Sequence, residues 1–139
     1  SVPQTILDAI ELAEGLGERY IWVDSCCILQ DSDLDKREFV SRMDIVYGLA
    51  SVTIVNAAGN HADHGLPGVG PTRRYNSQKP FHAKDVLVVD TLDPGKFGTN
   101  GIDSYLEGTA WESRGWTLQE GLLSQRLLIF TAEQAYWEC

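Results

Sequence analysis

The chain has 139 residues, 43% of them hydrophobic and 22% charged, and 20 acidic side chains against 11 basic ones give a net charge of −9. That length suits one domain with a sizeable core, and the composition is that of an ordinary globular protein. The acidity excludes a general nucleic-acid or anionic-membrane binder, because either surface repels such a chain on average; Arg73-Arg74 is one small basic candidate.

Residues 4–16 read as an amphipathic helix, with Ile6, Ile10, Ala13 and Leu16 on one face and Asp8, Glu11 and Glu14 elsewhere. Pro3 suits its first turn, and Gly15 with Gly17 suits its stop. Tyr20-Ile-Trp-Val23 is a β-branched and aromatic run, so it reads as a short buried strand. Positions just past the carboxyl end of a strand form the usual crevice of an α/β sheet, which is where Asp24, Ser25, Cys26, Cys27 and Gln30 would sit. Asp24 also reads as a turn or helix cap, and Cys27 with Ile28 as core packing. Asp31-Ser-Asp33 carries helix-cap chemistry. A helix over roughly 34–50 follows, with Phe39, Met43, Val46, Tyr47 and Ala50 as its apolar stripe. Ser51-Val-Thr-Ile-Val55 is the next strand, and two strand-plus-helix alternations predict a partly parallel sheet.

Residues 56–78 form a loop by their glycines and prolines. His61-Ala-Asp-His64 has no third ligand at recognisable spacing and does not lie on a helix face, so no metal site is expected. Gly68-Val-Gly70 lacks the rest of a dinucleotide fingerprint. Residues 85–92 read as a strand, 93–101 as a turn-rich excursion and 103–110 as a short helical turn. Then comes a dense polar cluster, Arg114-Gly-Trp-Thr-Leu-Gln-Glu120. Within it Thr117 and Glu120 match a capping box, in which Glu120 only closes a helix N-terminus. Trp111 and Trp116 read as core or as stacking platforms, and Arg114 as an ion-pair partner of Glu112 or Glu120. Arg126-Leu-Leu-Ile-Phe130 and Ala135-Tyr-Trp137 close the chain as two strands, paired as a hairpin around 131–134.

Cys26, Cys27 and Cys139 are an odd set with an adjacent pair, which is not a disulfide framework and points to a reducing, cytoplasmic location. No apolar run approaches the roughly 20 residues that span a bilayer, and no charged leader opens the chain. No Ser-His-Asp order, P-loop or paired-Cys zinc pattern is present. The residues alone therefore predict an α/β domain in which two polar clusters converge.

Those clusters resemble the fungal heterokaryon-incompatibility (HET) domain. The resemblance rests on Asp8-Ala-Ile10, on Tyr20-Ile-Trp-Val-Asp24-Ser25 with Cys27-Ile28 and Gln30-Asp31, and on Met43, Tyr47 and Ala50. It continues through Thr53-Ile54, Gly65-Leu66, Trp111, Arg114-Gly-Trp-Thr117, Gln119-Glu120, Leu123-Ser124, Arg126 and Trp137-Glu-Cys139. It covers most of the chain and implies one domain over 1–139. Family members usually begin with a further strand upstream of the first helix, so the chain is N-terminally incomplete relative to them and a sheet edge is left unprotected.

The resemblance implies an effector of regulated cell death in nonself recognition, working beside other modules of a larger protein or by self-association. A distant likeness to Toll/interleukin-1 receptor (TIR) domains implies a TIR/flavodoxin-like three-layer arrangement, and NAD as a substrate rather than a bound cofactor. Cleaving the nicotinamide–ribose bond passes through an oxocarbenium-like state that a carboxylate stabilises. Glu120 is the first candidate for that role and Asp24 the second. Arg114 suits a phosphate, Trp116 or Trp22 a ring, and Gln119 or Gln30 an amide, with Cys27 beside them. The competing expectations are a non-enzymatic adaptor module, in which the clusters hold the fold, and an inactive remnant.

Overall fold

A computed structural model of the chain describes residues 1–75, 80–88, 106, 108–115 and 117–139. Helix α1 (Gln4–Gly15) starts after Pro3, as expected. It stops at Gly17, whose φ of 79° is open to glycine at little cost. There the Gly17 N–H donates to the Glu14 carbonyl and the Glu18 N–H to that of Ala13, which closes the helix with a Schellman turn. The buried face differs from the expected one. Asp8 and Ala9 are buried, whereas Ile10 and Leu16 are exposed. The helix has turned toward a loop that supplies hydrogen-bond donors to Asp8, and a hydrophobicity count does not register such donors.

The Tyr20–Val23 run is not a strand. Val23 is extended, with φ −134° and ψ 122°, but the run joins neither sheet. β-propensity makes an extended backbone comfortable; a ladder also needs a neighbour in register. Val23 serves instead as N-cap of α2 (Asp24–Cys27), and its carbonyl accepts the N–H groups of Cys26 and Cys27. The crevice argument that placed Asp24 to Gln30 beyond a strand therefore loses its strand. Ile21 is still held, packed against the core cluster of Ala9, Leu66 and Phe130.

The expected helix over 34–50 is two helices, α3 (Asp33–Val40) and α4 (Met43–Leu49). Ser32 caps α3 by accepting the Asp35 N–H at 3.2 Å. The break falls at Ser41 and Arg42, where the Ser41 hydroxyl donates to the Glu38 carbonyl at 2.7 Å and Arg42 leaves helical geometry. The apolar stripe survives the break: Met43 is buried, and Phe39, Val46, Tyr47 and Ala50 are half-buried.

The principal sheet has the order β1 (Thr53–Asn56), β4 (Leu127–Phe130), β5 (Ala135–Glu138). β1 runs parallel to β4, with Thr53 opposite Leu127 and Asn56 opposite Phe130. β4 and β5 form the expected antiparallel hairpin, with Leu128 opposite Trp137. Alternation divides these strands between two small cores. Ile54, Leu128 and Phe130 meet Ala9, Leu12 and Leu66 on one face. Val55, Leu127 and Ile129 meet Leu106 and Trp111 on the other. A separate hairpin pairs β2 (Phe81–Ala83), which the sequence did not announce, with β3 (Val86–Val88), the described part of the expected 85–92 strand. Lys84 turns it in the left-handed region, at φ 56°. The turn-rich 93–101 stretch and most of 103–107 lie outside the described residues, although Leu106 is buried and helical. The class is mixed α/β around a small, partly parallel sheet with helices.

Candidate functional site

Helix α5 (Thr117–Leu123) lies beside α4. The two are tied at their ends, where Gln125 donates its amide to the Gly48 carbonyl at 3.0 Å and the hydroxyls of Thr53 and Ser124 meet at 2.7 Å. This joint turns Glu120 inward, leaving its side chain 14% exposed. Oε2 of Glu120 accepts the indole N–H of buried Trp111, and Oε1 accepts the phenol O–H of Tyr47 at 3.4 Å. The Arg114 guanidinium stands 3.7 Å from Oε2. Glu120 thus gathers donors from α4 and from the loop before α5. Its bonds do not close the helix N-terminus as a capping box would; Thr117 donates instead to the carbonyls of Arg114 and Glu112.

The second expected cluster reaches this group through its field. The Tyr47 phenol is pushed above its ordinary value of 10.0 by burial, then by the charge and hydrogen bond of Glu120, then by the charge of Asp24, with Arg114 opposing. Tyr47 therefore touches Glu120 and feels the charges of Asp24 and Arg114. Asp24 itself is exposed in the first turn of α2, and its Oδ1 accepts the neighbouring Ser25 N–H at 2.6 Å. Arg114 is 57% exposed on its side chain, so its ion pair is a weak tie.

A second polar centre surrounds Asp8, which sequence reasoning had put on an outer helix face. The residue is 1% exposed. Oδ2 accepts the Leu66 N–H at 2.7 Å and the Thr72 hydroxyl at 2.6 Å, while Oδ1 accepts the Gln4 amide at 2.6 Å. Burial alone would raise its pKa, and the bonds from Thr72, Leu66 and Gln4 turn the balance downward, below 3.8. Thr5 and Asn56 extend the network: the Thr5 hydroxyl accepts the Gly65 N–H, and the Asn56 amide donates to the Gly65 carbonyl. The signal was present in the helical spacing of Thr5, Asp8 and Leu12, which share one face.

The family model of the heterokaryon incompatibility protein (HET) matches residues 1–120. The chain belongs to the HET family. The match ends on Glu120, so α1 to β3 and the approach to α5 lie within the HET segment and the β4–β5 hairpin lies beyond it. No curated protein and no solved structure matches the chain.

The remaining expected site residues of this HET domain are scattered. Gln30 is exposed, and its amide donates to the carbonyls of Asp24 and Ile28, bracing the turn after α2. Cys27 is exposed and free, like Cys26 and Cys139, which corrects its reading as core. Trp22 is half-buried ahead of α2. Gln119 is half-buried beside Glu120, and its Oε1 is buried with no hydrogen-bond partner among the described residues. Trp116 lies outside the described residues. A cleft of about 600 Å³ is lined by Asn60, Thr109, Ala110, Glu112 and Ser113, and one of about 310 Å³ by Trp111, Leu127, Ile129 and Glu138 among others. Neither is lined by Glu120 or Asp24. The rings of His61 and His64 are 6.1 Å apart, and no group of three metal-ligating side chains occurs among the described residues. Among those residues, too, no helix is long and apolar enough to cross a membrane.

Proposed function

We propose that this HET domain is an effector of regulated cell death in fungal nonself recognition, and that it acts by hydrolysing the nicotinamide–ribose bond of NAD. The observation that carries the reading is the grouping of Tyr47, Trp111 and Arg114 around the carboxylate of Glu120, from distant parts of the chain. In the reaction the C1′–N bond breaks, neutral nicotinamide leaves, water supplies hydroxide to C1′, and a proton passes to solvent. Glu120 faces the positive charge that develops on the sugar, with Asp24 as the second carboxylate. Arg114 holds phosphate in this scheme, Trp22 or Trp116 stacks on a ring, and Gln119 or Gln30 bonds the amide. Oligomerisation or neighbouring modules would complete the site. A TIR-like three-layer sheet belongs to the same proposal. So does a cytoplasmic location, which three exposed free thiols support.

The adaptor reading has its own observation in its favour. The carboxylate of Glu120 is already engaged by Trp111, Tyr47 and Arg114, as expected of a residue that locks α5 to α4. The deciding experiment measures NAD consumption by the protein under forced oligomerisation, beside Glu120→Gln and Asp24→Asn, each checked for folding by circular dichroism. The expected result is NAD loss in the parent and none in a folded carboxylate variant. Unchanged NAD in all three would leave the adaptor reading standing.

A further inference from the structure

By sequence, Tyr47 is one position in an apolar stripe. In the fold its hydroxyl reaches the carboxylate at the centre of the site. The two oxygens of that carboxylate are not equivalent. Oε2 takes a neutral indole donor and lies 3.7 Å from a guanidinium. Oε1 receives only the long contact of 3.4 Å from Tyr47 among the described residues. Each carboxylate oxygen accepts about two hydrogen bonds, so Oε1 keeps capacity for an incoming hydroxyl. The phenol is held in place independently of Glu120. Buried Met43 roots α4, and the Gln125–Gly48 bond fixes its end against the chain leaving α5.

We infer that Tyr47 is a positioning residue of this site: its O–H holds Oε1 of Glu120 toward the reacting sugar, leaving Trp111 and Arg114 to hold Oε2. The inference rests on the proposed NAD cleavage. It requires the phenol to stay protonated. The groups facing it favour that: Glu120 from α5 and Asp24 from α2 both disfavour a phenolate, and Arg114 only partly opposes them. The contacts of Trp111 and Arg114 at Oε2 already limit rotation about the last torsion, and an O–H on Oε1 narrows it further and aims the carboxylate.

Tyr47→Phe tests this because it keeps the ring and removes only the hydroxyl. In the oligomerised protein, kcat is expected to fall about 10- to 100-fold with KM within about twofold, the pattern of an interaction made in the transition state. The urea midpoint should stay close to the parent's. The indole N–H resonance of Trp111, assigned with Trp111→Phe, should shift in Tyr47→Phe because the two share one acceptor group. A parent-like kcat in Tyr47→Phe, with Glu120→Gln inactive, would overturn the positioning role and leave the hydrolase reading intact. If the parent consumes no NAD, that reading fails by itself. The Trp111 resonance then decides whether Tyr47 holds Glu120 at all: a shift supports the contact, and an unmoved signal refutes it.

Discussion

Asp8 keeps its charge inside the protein because three donors converge on it, and one of them is a buried backbone N–H. Asp8→Ala is expected to cost about 3 kcal/mol, since the Leu66 N–H and Thr72 hydroxyl lose their partner in a buried place; urea unfolding measures it. The pH dependence follows from the lowered pKa. Asp8 binds its proton more readily in the unfolded chain, so its stabilisation is complete above 3.8 and is lost as pH falls through its lower folded value. The stability gap between parent and Asp8→Asn should therefore be flat near neutrality and close in acid. At Trp111 the indole N–H faces a carboxylate, so Trp111→Phe should lose about 2 kcal/mol in the same assay. At this scale the sequence disclosed residue types and not their directions. Glu120 and Arg114 announced themselves by standing in a dense polar run. Tyr47 did not, because a phenol at an apolar stripe position looks like packing until its hydroxyl finds a partner. Asp8 did not, because two of its three donors come from a loop 58 to 64 residues away.

Among the elements, α1 and the β4–β5 hairpin were legible because their instructions are local: a periodic face with a glycine stop, and two apolar runs flanking a short turn. The Tyr20–Val23 run and the helix over 34–50 were misread because their outcome depends on something outside the window. One needed a neighbouring strand, and the other was divided by a serine hydroxyl turning back on its own carbonyl. Two glycines isolate how much of an element's ending is local. Gly17 and Gly65 have almost the same positive φ, 79° and 81°. A Cβ at Gly17 meets nothing within 4 Å, so Gly17→Ala should cost only the left-handed strain, about 1 kcal/mol. A Cβ at Gly65 would collide with the Thr72 hydroxyl and lie 2.6 Å from Oδ2 of Asp8. Gly65→Ala should therefore exceed Gly17→Ala by several kcal/mol or abolish folding, as read by thermal unfolding of the two variants side by side.

For the whole molecule, a net charge of −9 on a chain with two small cores makes self-repulsion a sizeable fraction of the stability margin. Raising NaCl from about 20 mM to 0.5 M shortens the screening length to a few Å, so Tm should rise by a few degrees. A Tm that falls with salt would mean that attractive ion pairs outweigh the repulsion. The alternation of strand-like and helical runs foretold the mixed class and the partly parallel sheet; it did not foretell that the core would split between the two faces of a three-stranded sheet, because register between distant strands leaves no mark in local periodicity. The parallel pairing of Thr53–Asn56 with Leu127–Phe130 has a kinetic corollary. The β4–β5 hairpin closes over a four-residue loop, while β1 must find β4 across more than seventy residues. The hairpin can thus assemble early and wait for β1, whose arrival is the slow step. Since closure entropy grows only logarithmically, doubling the intervening chain would cost about 0.6 kcal/mol. Chain closure therefore sets little penalty on added length between the two strands, whereas the eight residues that pair tolerate no change of register.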